Sequence, residues 1–472
     1  MTHTRTRTGC LTCRDDGYKC DEGKPTCGRC IRLGKTCKGY GLRVRWRVTA
    51  DASAGPPKVT KRHSPKSKGA AAAAAAVSSR KTASASSPPT PHRSGPAPGT
   101  TLIRNPSSLP PDVTPTDRLL LHHWTTSLAG VVSMASHTQN PFLVHLTPMM
   151  LRSDALRYAV SSMAAGHLAV LHCSSSSSSE MRALASRHML QAVSSLRSTI
   201  QAADPQLSLA AILMLQISDR LLGTDSRVDH LAGAKAVIAH SGGPAAWMTP
   251  AARFLLSLCF YHDVMSSVSR AAKPLLTGAA GAVAPLEDAQ SLARLTELVS
   301  VVGAISRMQG QSGPAHRRRG FAIRETLLRA ADPVADSDME NTIQAYRHSA
   351  VIYLYRVWED DTSTAPPPKP AHARECIRHL LQVPVSSPSA SAHAWPLWTA
   401  GCESVDSEPR GLVLQRLKEM YQSRKLPSLL RAQEDMREVW AAKDAARREF
   451  GTEDVDCCKV ILHNRHREAD LV

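Results

Sequence analysis

Residues 9–46 read GCLTCRDDGYKCDEGKPTCGRCIRLGKTCKGYGLRVRW, and six of the chain's twelve cysteines fall inside this stretch. Cys10, Cys13 and Cys20 follow the spacing C-x2-C-x6-C, and Cys27, Cys30 and Cys37 repeat it after a short loop containing Pro25. In a reducing compartment such crowding reads as thiolate ligation of metal; the competing readings, a disulfide knot or chance clustering, do not call for so regular an interval. Zinc takes four ligands in tetrahedral geometry, so two independent ions would need more sulfurs than the six present. Two ions sharing two sulfurs resolve the shortage, and the two-fold repeat nominates Cys10 and Cys27, one from each half, as the shared pair. With every position filled by sulfur, none is open to a substrate water, so the metal is structural. Its binding supplies most of the folding free energy of a segment too small for a hydrophobic core.

The charge distribution points the same way. The chain of 472 residues carries 58 Lys and Arg against 40 Asp and Glu. Residues 1–115 hold 21 basic and 6 acidic side chains, a balance of +15, which leaves only +3 for the remainder. Basicity gathered in one arm suits a polyanion such as double-stranded DNA, because Lys and Arg release condensed counterions when they neutralise phosphates. A solvated basic arm is the alternative. No apolar run approaches the length of a membrane span, and MTHTRTRTGC lacks the apolar stretch of a signal peptide, so a soluble intracellular protein is expected.

The stretch quoted above resembles the fungal zinc binuclear cluster, and its end, CKGYGLRVRW, is most similar to the subgroup containing the arginine-metabolism regulator. The resemblance implies a nuclear transcription regulator whose first short helix enters the major groove. It also implies that Cys13 and Cys20 complete one zinc site, Cys30 and Cys37 the other, and that Cys10 and Cys27 bridge them. One departure stands out. Between its second and third cysteines the family carries a basic run that contacts bases and phosphates, whereas this chain has CRDDGYKC. Arg14 and Lys19 remain, but Asp16 and Gly17 take the two central basic positions, with Asp15 beside them. A carboxylate cannot donate to guanine and is repelled by phosphate. Asp15 and Asp16 are expected instead in a helical first turn, where negative charge complements the macrodipole. Arg43, Arg45, Trp46 and Arg47, or Arg5 and Arg7, could restore salt-dependent, sequence-independent affinity. Replacing Asp16 and Gly17 by Arg and Lys should then tighten DNA binding. A cluster that reads a specific site, and a cluster kept as a folded metal module acting through partner regulators, both stay open.

Residues 49–115 form a linker rich in Pro, Ser, Ala and Gly, with an alanine run from Ala70 to Ala76 and no means of building a core. Lys58, Lys61, Arg62, Lys66 and Lys68 read equally as a nuclear-import signal or as solvating charges. From residue 116 the pattern turns helical. Thr116 or Asp117 serves as a cap, followed by faces such as Leu120, Leu121, Trp124 and Leu128, then Leu156, Ala159, Val160, Met163 and His167. The expected division is a metal module over 1–48, the linker over 49–115, a large all-α regulatory domain over 116–450, and a tail over 451–472. Several strings resemble the fungal-specific transcription factor domain that accompanies this type of cluster. Among them are LLLHHWTTSLAGVVSM from Leu119, NPFLVHLTPMML from Asn140, HLAGAKAVIAHSGG from His230 and WPLWTAGCES from Trp395. The family implies a regulatory module, often answering to a small-molecule effector. Homodimer or heterodimer formation is left open, since no sustained heptad pattern appears before residue 115.

Other signals read as structural. His122 with His123, and Arg347 with His348, read as boundary residues between the faces of amphipathic helices ahead of ligand-binding pairs; Cys173, Cys259, Cys376 and Cys402 are buried apolar groups. Arg317, Arg318 and Arg319 are expected in an exposed loop and Ser174 to Ser179 in an insertion, while the adjacent Cys457 and Cys458 read as structural ahead of a redox-sensitive pair. No HExxH, GxSxG, Walker A or strand-borne GxGxxG motif is present, so an enzyme is not expected.

Overall fold

A computed structural model describes residues 9–23, 26–37, 114–172, 177–200, 204–223, 229–276, 290–329, 337–358, 368–452, 455–465, 468–469 and 471. The linker expectation up to residue 113, the import signal, Arg5, Arg7, Pro25, Arg43, Arg45, Trp46, Arg47 and Cys173 lie outside the described residues, as does the side chain of Arg14.

Two short helices belong to the cysteine-rich segment, α1 (Leu11–Asp15) and α2 (Gly28–Arg32). The body opens with α3 (Pro115–His123), and its cap is Thr114 rather than the expected Thr116 or Asp117. Thr114 Oγ1 accepts from the Asp117 amide at 3.1 Å, and Asp117 Oδ2 accepts from the Thr114 amide at 3.1 Å, a reciprocal box that satisfies two end donors. Proline fixes φ near its helical value and lacks a donor the first turn would leave unpaired. Pro115 therefore starts the helix, one residue before the sequence boundary.

Short turns α4 (Ala129–Val132) and α5 (Thr147–Met149) lead to the long elements. These are α6 (Asp154–Leu171), α7 (Ser177–Thr199), α8 (Pro205–Leu222), α9 (His230–His240) and α10 (Pro250–Ser269). After them come α11 (Gln290–Ser306), α12 (Pro314–Leu328), α13 (Asp338–Val357), α14 (Lys369–Gln382) and α15 (Ala394–Cys402). The last are α16 (Ser407–Arg424), α17 (Pro427–Phe450) and α18 (Cys457–Arg465). No strand occurs among the described residues, and none of their helices is long and apolar enough to cross a membrane.

Burial explains the arrangement. From Leu207 to Ser218 every residue of α8 is buried, so this helix is surrounded on all sides. α13 is buried from Glu340 to Tyr346 and again from Ser349 to Leu354. One continuous apolar core runs from Leu120 to Leu471. The residues after 450 are therefore no separate tail: Cys457, Ile461, Ala469 and Leu471 are buried in that core. Two further expectations are corrected. Arg317, Arg318 and Arg319 are exposed but helical, because Pro314 starts α12 just ahead of them. Ser177 to Ser179 form the first turn of α7, where the Ser178 hydroxyl donates to the Ala169 carbonyl at 2.9 Å. Cys259, Cys376 and Cys402 are buried, in line with their apolar reading.

Polar groups inside the body are paired across elements. Glu403, which ends α15, lies between Arg356 of α13 at 2.7 Å and Lys443 of α17 at 2.6 Å. Arg424 donates to the Val131 and Ser387 carbonyls, both at 2.8 Å, and so ties α16 to α4 and to the loop at Ser387. His123 Nε2 lies 2.9 Å from His167 Nδ1, and His167 Nε2 lies 2.9 Å from the Arg424 carbonyl. These buried histidines complete a polar chain, which makes His123 an interior residue and not the boundary residue of an amphipathic face that the pattern suggested.

Candidate metal centre and nucleic-acid interface

The cysteine segment is held by sulfur-centred contacts instead of an apolar core. Cys10, Cys13, Cys20, Cys27 and Cys30 are buried, and Cys37 is half-buried beside them. Their sulfurs form two groups of four, Cys10, Cys13, Cys20 and Cys27 in one and Cys10, Cys27, Cys30 and Cys37 in the other. Cys10 and Cys27 stand in both. Within each group the sulfurs lie no more than 4.8 Å apart. Cys10 Sγ is 3.6 Å from Cys27 Sγ and 3.8 Å from Cys30 Sγ, and Cys13 Sγ is 3.6 Å from Cys27 Sγ. Tetrahedral zinc with bonds of about 2.3 Å places its sulfurs about 3.8 Å apart. A disulfide would bring two of them to about 2.0 Å. The spacing therefore fits shared metal ligation and not cross-linking.

Backbone amides point at the same atoms. The Cys10 amide donates to Cys20 Sγ at 3.3 Å, and the amides of Cys13 and Cys30 donate to Cys10 Sγ and Cys27 Sγ at 3.4 Å each. Such donors favour thiolate, the form a metal requires. Without metal, burial pushes the Cys10 and Cys27 thiols up, Cys27 to about 12. Loading with zinc therefore releases protons.

The two halves are also tied by side chains that the spacing did not reveal. Thr12 Oγ1 donates to the Thr36 carbonyl at 2.9 Å, and Asp21 Oδ1 accepts from the Gly28 amide at 3.1 Å. Asp16 makes two such links. Its Oδ2 accepts from Arg29 at 3.1 Å and from Lys35 Nζ at 2.9 Å, and these two cations hold its carboxyl below the usual range. The expectation that Asp15 and Asp16 sit in a helical first turn is wrong. Because α1 starts at Leu11, Asp15 ends it and Asp16 follows it, where the dipole disfavours negative charge. The paired cations offset that cost.

Gly17 has φ +77°, a left-handed conformation that a lysine would adopt only with strain. Replacing Asp16 and Gly17 by Arg and Lys would therefore cut the link between the halves and strain the turn, instead of simply adding positive charge.

Of the residues expected to meet DNA, Arg14 sits on α1 and Lys19 is exposed in the loop before Cys20. Arg43, Arg45 and Arg47 lie outside the described residues. The structure adds Tyr18, 65% exposed, whose ring lies 4.3 Å beneath the Arg29 guanidinium. An aromatic two residues before a cysteine carries no signal of such a contact in the sequence.

A cage of shared sulfurs in a short cysteine-rich segment, joined to a large helical body, defines a metal-stabilised module of the nucleic-acid-binding class. Residues 8–47 match the fungal Zn(2)-Cys(6) binuclear cluster domain, which binds two zinc ions. Residues 118–280 and 322–467 match the fungal specific transcription factor domain, and the chain belongs to that family. Among similar curated proteins, white-opaque regulator 2 of Candida albicans is 50% identical over 58 residues, 12% of this chain and 11% of its own. Pestheic acid cluster transcriptional regulator 3 of Pestalotiopsis fici is 50% identical over 48 residues, 10% of this chain and 8% of its own. Arginine metabolism regulation protein II of Saccharomyces cerevisiae is 44% identical over 46 residues, 10% of this chain and 5% of its own. In each case the match spans only about a tenth of the relative or less. No solved structure matches the chain.

Proposed function

We propose that this chain is a zinc-dependent regulator of RNA polymerase II transcription, acting in the nucleus on a metabolic gene set. In this reading the cluster docks double-stranded DNA and the helical body controls output. Cys10 and Cys27 bridge two zinc ions; Cys13 and Cys20 complete one site, Cys30 and Cys37 the other. The observation that carries the reading is the pair of four-sulfur groups sharing two atoms. Zinc bound there cross-links the halves and gives α1 a fixed presentation to a groove. Arg14 and Lys19, with Arg43, Arg45 and Arg47, supply contacts to phosphate and base edges. An all-sulfur site leaves no position for a substrate, so we read the chain as a regulator and not an enzyme. The proposal divides it into a metal module over 1–48, a linker over 49–115 and a helical body that continues past residue 450. Homo- or heterodimer formation and a small-molecule effector follow from family resemblance and are assigned to that body.

A second reading is favoured by Asp16, which occupies Arg29 and Lys35. With two cluster cations neutralised, the module would hold DNA weakly and the protein would act through partner regulators. Selection of a random duplex pool on the zinc-loaded full-length protein separates the two. Enrichment of a CGG-containing half-site is the expected result. Retention without enrichment, abolished by moderate salt, would transfer the conclusion to the second reading.

A further inference from the structure

We propose that the helical body carries a metal site of its own, separate from the sulfur cluster: a zinc-type divalent cation held between α13 and α14 by His348, Glu375 and His379. Each of the three offers one donor atom, and these atoms lie within 4.8 Å of one another. Donors around tetrahedral zinc sit about 3.4 Å apart, so small side-chain rotations close the set. Glu375 and His379 stand four residues apart on α14 and share a face, and His348 meets them from α13. The His348 and His379 rings are nearly parallel, their centroids 5.9 Å apart.

The surrounding hydrogen bonds prepare these groups for a cation. His379 Nδ1 lies 2.7 Å from Asn341 Oδ1, an acceptor, so the proton belongs on Nδ1 and the lone pair on Nε2. An outer acceptor of this kind is the usual orienting partner of a metal-bound imidazole. The lone pair of Nε2 and the Glu375 carboxylate already face one positive charge. The Arg378 guanidinium lies 2.9 Å from His379 Nε2 and 2.8 Å from Glu375 Oε2. Arg378 is half-exposed and can turn to solvent, leaving that position to a metal ion. His372 orients the third ligand, its Nδ1 lying 2.8 Å from His348 Nδ1.

Two imidazoles and a carboxylate suit zinc, leaving a fourth position for water. The nearby Arg347 and Arg378 make binding weaker than in the sulfur cluster. Occupancy would clip α14 to α13, a helix buried along most of its length, so the site gives a divalent cation purchase on the regulatory domain.

Cobalt(II) substitution of the full-length protein tests this, because thiolate ligation gives intense near-ultraviolet charge-transfer bands that imidazole and carboxylate ligation does not. Three cobalt ions per chain are expected, two with thiolate bands and a third with only weak visible absorption. In the His348→Ala/His379→Ala double variant, and separately in Glu375→Gln, the third equivalent is lost and the thiolate bands remain. Glu375 is half-exposed, so its variant removes a ligand without disturbing the core. Two equivalents in the wild type, or a third retained in both variants, overturns the site. Missing thiolate bands with a third equivalent that still depends on Glu375 would sink the cluster assignment while supporting this one.

Discussion

Asp16 shows how one side chain can reverse the reading of a motif. Against a family pattern of basic residues it looks like a lost DNA contact, yet it joins α1 to the second half of the cluster through Arg29 and Lys35. Asp16→Asn should remove the charge that neutralises both cations without straining the turn at Gly17, while Arg29 keeps its contacts with Cys13 Sγ and the Tyr18 ring. The logarithm of DNA affinity should then fall more steeply with the logarithm of salt, by about one to two in slope, as each freed cation neutralises a phosphate. Titrations of the full-length protein at several salt concentrations would check this, and an unchanged slope would place Arg29 and Lys35 away from the duplex. The sulfur cage was legible in the sequence because ligand counting needs only identities and intervals. The clamp was not, since its partners stand 13 and 19 residues away and no local pattern distinguishes a tethered aspartate from a free one.

At the scale of elements, helical faces such as Leu156 to Met163 could be read from spacing alone, because burial imposes a 3.6-residue period. Charge misled where it looked like solvent. Arg317, Arg318 and Arg319 suggested a loop, but Gly320, the next residue, packs against Trp358 and pins α12 to the end of α13. A methyl group at Gly320 would stand 2.3 to 2.4 Å from atoms of the rigid indole. Alanine's intrinsic helix preference over glycine, about 1 kcal/mol, favours the substitution. Overpacking of about 1–3 kcal/mol opposes it and should win. Gly320→Ala is therefore expected to lower the urea midpoint of the body; a raised midpoint would mean that the ring moves aside freely. Such a contact joins residues far apart in the chain, and a glycine in a basic run gives no hint of it.

Across the whole molecule, buried ionisable groups set how stability responds to acid. Burial lowers His262 and His393 to about 3 and His123 to about 4. The unfolded chain takes up these protons near pH 6.5 while the folded chain does not, so stability is full above that value and declines as pH falls toward 4. Each histidine contributes about 1.4 kcal/mol per pH unit in that window. Denaturation curves from pH 7.5 to 4.5 should show the decline, and His393→Gln, which cannot titrate, should flatten it. A slope unchanged in that variant would assign the acid response to other groups. Glu403 acts in a lower range. Burial alone would raise it, but Arg356 and Lys443 draw it down to about 2, so its contribution is intact above pH 4.5 and is lost as pH falls through 2. That ion group brings together residues 40 and 47 positions apart, and only the packed body reveals it.

The doubled membership of Cys10 and Cys27 has a consequence for supply. A chain holding a single ion leaves its neighbouring cage with two sulfurs already committed and two still loose, an arrangement less favourable than either extreme. Fully loaded and empty copies should therefore dominate the population, with few in between. A shrinking zinc pool would thin the ranks of working molecules and leave the survivors unimpaired.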